Sequence, residues 1–213
     1  APEYGDEGQQ EAIVEHISKY FGQTDNVFHE IVSDIVHIDV HIINPTEERN
    51  YYTLFTTGMS YLPMNAPEQY KHYSYAELMM HLPPDWNINS QDDKDYWPIQ
   101  WLKMLARFPH KYSTWIFFGH TIPTSENAEP FNDSTGMGCM IIKDTAMLDE
   151  DKVDEFVEME FNDKKRFCLT MIPIYKEEMY FKLDTDANEL FDKLAEAGIT
   201  DIIDPKRQNV CQE

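Results

Sequence analysis

Ile35-Val36-His37-Ile38-Asp39-Val40-His41-Ile42-Ile43 is the stretch on which the fold turns. Ile35, His37, Asp39 and His41 alternate with Val36, Ile38, Val40 and Ile42, and a period of two sends successive side chains to opposite faces of a strand. One face is wholly aliphatic and belongs against a core; the other carries His37, Asp39 and His41 in a row. Asn44-Pro45 ends the run, because proline cannot donate to a ladder. Tyr51 to Thr57, rich in Thr, Tyr and Phe and leading into Gly58, predicts a second strand of the same sheet, joined by a hairpin through Pro45 to Asn50.

Upstream, Gln9 to Phe21 places Ile13, Ile17, Tyr20 and Phe21 on one helical face before a stop at Gly22. Residues 1–8 are polar with two glycines and read as a disordered lead-in or expression remnant, so the expected domain is a single one over residues 9–213. Downstream, Tyr73 to Leu82 satisfies helix propensity and period two alike, and Pro83-Pro84 ends it either way. Pro98 suits the first turn of an amphipathic helix closed by Pro109, with Trp97, Trp101 and Leu105 as expected core anchors. Thr114 to His120, Gly138 to Lys143 and Phe167 to Tyr175 read as strands, and Asn188 to Ala197 as a helix before Gly198. Asp144 to Asp163, with nine acids against one base, reads as an acidic surface helix. Strands interrupted by unequal helices give an α+β fold, a mixed and mainly antiparallel sheet flanked by helices.

Across 213 residues, 39 acids against 17 bases leave a net charge of −22. That charge disfavours direct contact with nucleic acid or an anionic membrane and favours a cationic protein partner. Cys139, Cys168 and Cys211 show no paired spacing, so neither a disulfide framework nor a zinc knuckle is expected and a cytoplasmic location fits. No apolar run approaches the ~20 residues of a membrane span.

Three motifs could carry chemistry. His37-x-Asp39-x-His41 projects three ligand-type side chains from one strand face, with His29-Glu30 nearby in sequence, and an enzyme using that face with a metal is the alternative function. Spacing of two makes a row rather than a convergent shell, so no stoichiometric metal or other cofactor is expected and no residue is assigned as catalytic. Gly58-Met59-Ser60 begins like a nucleophile elbow, but Leu62 stands where the second glycine belongs. Gly136-Met137-Gly138 lacks the third glycine of a phosphate-cradling turn. The concentration of acid at Asp149, Glu150, Asp151, Asp154 and Glu155 exceeds what solubility needs and reads as a partner-binding patch.

The ordered series Tyr51-Tyr52-Thr53-Leu54-Phe55-Thr56-Thr57-Gly58-Met59-Ser60, Tyr75-Ala76-Glu77-Leu78-Met79-Met80-His81-Leu82-Pro83, and Trp97-Pro98 running to Leu105-Ala106-Arg107-Phe108 resembles the suppressor of fused domain family. Trp115 to His120 and Phe167 to Glu178 resemble two later blocks. The resemblance marks Gly58, Met59, Ser60, Glu77, Trp97 and Pro98 as family-motif residues and implies that residues 75–82 form a strand. It also implies a contact edge containing Phe108, Trp115, Phe117 and His120. Eukaryotic members clamp an extended peptide as an added strand, which implies a regulator as a further possibility. Bacterial single-domain members are similar to antitoxins or immunity proteins of the YqcF type. The resemblance therefore implies a non-enzymatic, intracellular binding protein that neutralises a cognate toxin, often a nuclease, whose basic surface an acidic inhibitor would complement.

Overall fold

Alternating apolar residues build this molecule on both sides of one sheet. A computed structural model describes residues 7–29 and 34–212. The strands are β1 (Asn26–Phe28), β2 (Asp39–Ile43), β3 (Tyr52–Thr57), β4 (Ala76–Leu82), β5 (Thr121–Pro123), β6 (Cys139–Lys143), β7 (Glu158–Phe161) and β8 (Lys164–Ile174). The helices are α1 (Glu7–Phe21), α2 (Asp93–Lys111), α3 (Glu150–Val157), α4 (Lys176–Asp184) and α5 (Ala187–Glu196). The sheet runs β1-β2-β3-β4-β8-β6-β5, with β7 pairing β8 beside this path. The β4–β8 pair is parallel and the other pairs are antiparallel, as the expected class requires.

Leu54, Leu78, Met80, Leu169 and Met171 point to one face, where Ile99, Leu102 and Leu105 of α2 cover them. Phe55, Met79 and Cys168 point to the other, under Ile13, Ile17 and Phe21 of α1 and Phe156 of α3. Farther along that second side, Ile141, Ile172 and Ile174 lie beneath α4 and α5. With both faces covered, β4 is buried along its whole length. That explains why its sequence did not separate strand from helix: a strand buried on both faces reads as a continuous apolar run.

Several expected boundaries move. α1 starts at Glu7, inside the expected lead-in, while residues 1–6 lie outside the described residues. β2 starts only at Asp39. α2 begins at Asp93 and contains both Pro98 and Pro109, so neither proline marks an end. Burial of Ile99, Leu102, Leu105 and Ala106 against the sheet outweighs the lost backbone bonds. Residues 114–120 are not a strand; Gly119 turns the chain at φ +82, and the strand is the later β5. The acidic segment is helical only to Val157. It continues as β7 and returns into β8 through Asn162 and Asp163, at φ 51 and 59, the left-handed pair of a two-residue hairpin. Among the described residues no helix is long and apolar enough to cross a membrane.

Two imidazoles are packed into the α1 side. His41 stacks on Phe55 and His81 lies between Phe21 and Tyr51, and burial lowers the pKa of each from the usual 6.5 to about 4. A group lowered in the folded state contributes stability above about pH 6.5 that is lost as pH falls toward 4, because the unfolded chain binds the proton first. A shift of that size is worth of order 3 kcal/mol per histidine at its acid limit. Buried Glu77, raised well above the usual carboxylate range by desolvation, contributes with the opposite sign. Urea midpoints should therefore fall between pH 7 and pH 4.5, and His81→Gln should flatten that slope. An unchanged slope in the variant would assign the acid sensitivity to other groups.

Candidate functional site

Four of the six family-motif residues come together: the turn Gly58-Met59-Ser60 meets Glu77 of β4, while Trp97 and Pro98 lie apart from it on α2. Gly58 adopts φ +116, and a Cβ there would stand 1.9 Å from the His37 carbonyl oxygen. The chain then enters a short 3-10 turn, Met59–Tyr61, whose Met59 and Ser60 are buried. The Ser60 N–H donates to Glu77 Oε1 at 3.3 Å, and His110 Nε2 at the end of α2 donates to Met59 O at 2.8 Å. Ser60 is inaccessible, so the elbow-like motif is a structural junction between β3, β4 and α2. Trp97 is buried and stacks on Phe131 at 4.9 Å. Pro98 is buried in the same helix. Burial raises the Cys139 thiol to about 12 and raises Cys168 as well, which removes both as nucleophiles at neutral pH.

The polar face of β2 is rearranged relative to a simple row. His41 Nε2 lies 2.8 Å from Thr57 Oγ1 and takes no part in a cluster. His29, which follows β1, comes instead to Asp39: His29 Nδ1 and His37 Nε2 are each 3.0 Å from Asp39 Oδ1. Glu30 lies outside the described residues.

The expected contact edge forms part of an open groove between α2 and β5. Two adjoining cavities of about 520 and 460 Å³ share Phe108, Ile122 and Pro123. Trp101 and Met104 line the first with the cations Lys103, Arg107 and Lys111; Trp115, His120 and Lys182 line the second. Among the described residues no carboxylate lines either cavity. Trp101 is thus a half-buried groove wall, packed edge-on to Phe131 at 4.8 Å, and not a full core anchor; Leu105 is one. Trp115 stacks on Tyr70 at 5.2 Å, and His120 Nδ1 accepts from the Phe117 N–H at 3.1 Å. Burial and then Lys182 lower the His120 pKa, so its ring favours the neutral form. Phe117 packs between Tyr73 and Phe167 at 4.1 and 5.4 Å and lines neither cavity.

β5 ends the sheet. The Thr124 N–H donates to Gly138 O and the Ile142 N–H to His120 O, so even-numbered residues face β6. By alternation Thr121 and Pro123 turn their main-chain groups outward, and proline leaves the Thr121 N–H as the outward donor of this short edge.

Asp149, the residue before α3, and Glu150, Asp151, Asp154 and Glu155 on it are all exposed, across the sheet from α2. The sheet therefore separates the two halves of the expected partner surface. Glu155 pairs with Lys19 at 3.4 Å, and Asp149, Glu150 and Asp151 sit at the start of α3, where negative charge also stabilises the helix dipole.

No curated protein matches the chain in sequence. Solved structures do resemble it. A suppressor of fused homologue from Neisseria gonorrhoeae has a TM-score of 0.67 at 17% identity, covering 98% of this chain and 100% of that one. A structure of the Sufu-Fu complex gives 0.66 at 12% identity, covering 95% and 92%. Drosophila Suppressor of Fused gives 0.65 at 13% identity; there 95% of this chain covers 51% of the other, so this chain spans about half its length. At these identities the likeness is one of fold. The sequence family described as Suppressor of fused protein (SUFU) matches residues 34–208, the span that holds the Gly58–Glu77–His110 junction, and the chain belongs to that family.

Proposed function

We propose that this protein acts by binding another protein and not by catalysis, with the groove between α2 and the β5 edge as the seat. The observation that carries this reading is the groove itself: aromatic walls, an exposed methionine and cationic side chains beside a sheet edge that no described strand pairs suit an extended segment that adds to β5. One solved neighbour is a complex of Sufu with Fu, which supports a binding role for this fold.

The finer reading is an intracellular immunity protein that neutralises a cationic toxin. It is supported by the net charge of −22 and by the exposed carboxylates of α3. In this reading the α3 face speeds encounter through long-range attraction while the groove, whose charged side chains are cations, holds an extended apolar or acidic segment of the toxin. The test is surface-based binding to the toxin encoded by the adjacent reading frame. Replacing Asp149, Glu150, Asp151, Asp154 and Glu155 by Asn or Gln should lower the association rate roughly tenfold and reduce its salt dependence. Met104→Asp, at an exposed groove position, should instead speed dissociation. Absence of binding removes the immunity reading, an association rate indifferent to salt and to the five substitutions removes the role of α3, and an unaltered Met104→Asp variant removes the groove.

A further inference from the structure

We propose that His29, His37 and Asp39 form a binding site for a zinc-type divalent cation at the β1–β2 edge of the sheet. The three ligand atoms lie within 4.8 Å of one another, and Asp39 Oδ1 is 3.0 Å from both imidazole nitrogens. The sequence alone argued against a metal because its candidate ligands stood in a row. Strand pairing removes that objection. The antiparallel register Asn26↔Ile42, Val27↔His41, Phe28↔Val40 brings the residue after Phe28 opposite Asp39, so ligands from two chain segments converge.

The donor set suits zinc. Bonds of about 2.0 to 2.1 Å in tetrahedral array put ligand atoms ~3.3 Å apart; the two separations from Asp39 are a few tenths of an ångström shorter, and the imidazole nitrogens, within 4.8 Å of one another, would close on the ion by rotation of the exposed His29 ring. Two imidazoles and a carboxylate select a borderline cation over magnesium or calcium, which favour oxygen ligands. The second carboxylate oxygen, Oδ2, accepts from Gln10 Nε2 of α1 at 3.1 Å, which orients Oδ1 toward the histidines as an outer hydrogen bond does in metal sites. The His29 side chain is 70% exposed and that of Asp39 10%, so the site has a solvent path and room for water as a fourth ligand. Bound there, the cation would staple the end of β1 to the start of β2.

The experiment is calorimetric titration of tag-free full-length protein with zinc chloride at pH 7.5, with cobalt(II) absorption as a second readout. One equivalent should bind, with a visible ligand-field spectrum from cobalt. His29→Gln changes an exposed side chain and should spare the fold while weakening zinc at least tenfold; Asp39→Asn should weaken it further. His72→Gln, at an exposed histidine elsewhere, should leave binding unaltered. No binding at micromolar zinc, or equal affinity in His29→Gln and the parent, would show that Asp39 only bridges two histidines by hydrogen bonds.

Discussion

Gly58→Ala is expected to abolish the native state or cost more than about 4 kcal/mol, a large part of the ~5 to 15 kcal/mol available to a domain. Two effects add at this position. The φ of +116 is one that side-chain-bearing residues rarely adopt, and the new Cβ would lie 1.9 Å from the His37 carbonyl oxygen, a backbone atom with no flexible end to swing away. Relief would have to move the turn at Met59–Tyr61. That would strand the buried Glu77 carboxyl without the Ser60 N–H and the Met59 carbonyl without His110. Urea denaturation followed by far-ultraviolet circular dichroism checks this. A midpoint close to the parent's would show that the turn relaxes freely and that the family motif at this position has another reason.

Arg207→Ala is expected to destabilise by about 3 to 5 kcal/mol, the cost of leaving a buried charge without its partner. Arg207 Nη1 and Nη2 meet Glu178 Oε1 and Oε2, both at 2.7 Å, in a bidentate pair whose side chains are 7% and 0% exposed. Nη2 also donates to Pro173 O at 3.1 Å, and Glu178 accepts from the N–H groups of Tyr175 and Val210. This network ties the C-terminal segment to the end of β8 and the start of α4. Arg207→Lys should recover only part of the loss, since an ammonium cannot make the two-pronged contact. The readout is the urea midpoint of both variants and of Glu178→Gln. A fall below about 1 kcal/mol for Arg207→Ala would mean that the segment relaxes and lets water reach Glu178.

Much of the fold was legible because its signals are local. Period two in residues 39–43 and 52–57, the apolar faces of α1 and α5, and Gly198 at φ +73 each reflect a few neighbouring residues. Errors arose where a distant partner overruled local preference. Pro98 and Pro109 read as helix ends, yet the sheet under α2 holds a helix of 19 residues through both. Glu158 to Phe161 carries acids that read as helix, yet pairing with β8 makes it a strand, and the Asn162-Asp163 dipeptide was the available signal for that hairpin. α4 carries little sequence signal, because its apolar periodicity is weak and its N-cap is Tyr175, whose N–H donates to Glu178, instead of a serine or aspartate.

The candidate sites divide in the same way. Acidity, the two-faced strands, the glycine turn after β3 and the blocks that resemble the suppressor of fused family can all be read along the chain. Packing in three dimensions is needed for His29 to meet His37 and Asp39 while His41 turns to Thr57, for Phe117 to pack away from the groove that Phe108 and Trp115 line, and for the sheet to separate α3 from α2. Range separates the two groups. Side-chain direction along a strand or helix is fixed by backbone dihedrals over a few residues, whereas convergence of groups from separate segments depends on strand order and register, which burial of the whole core selects at once.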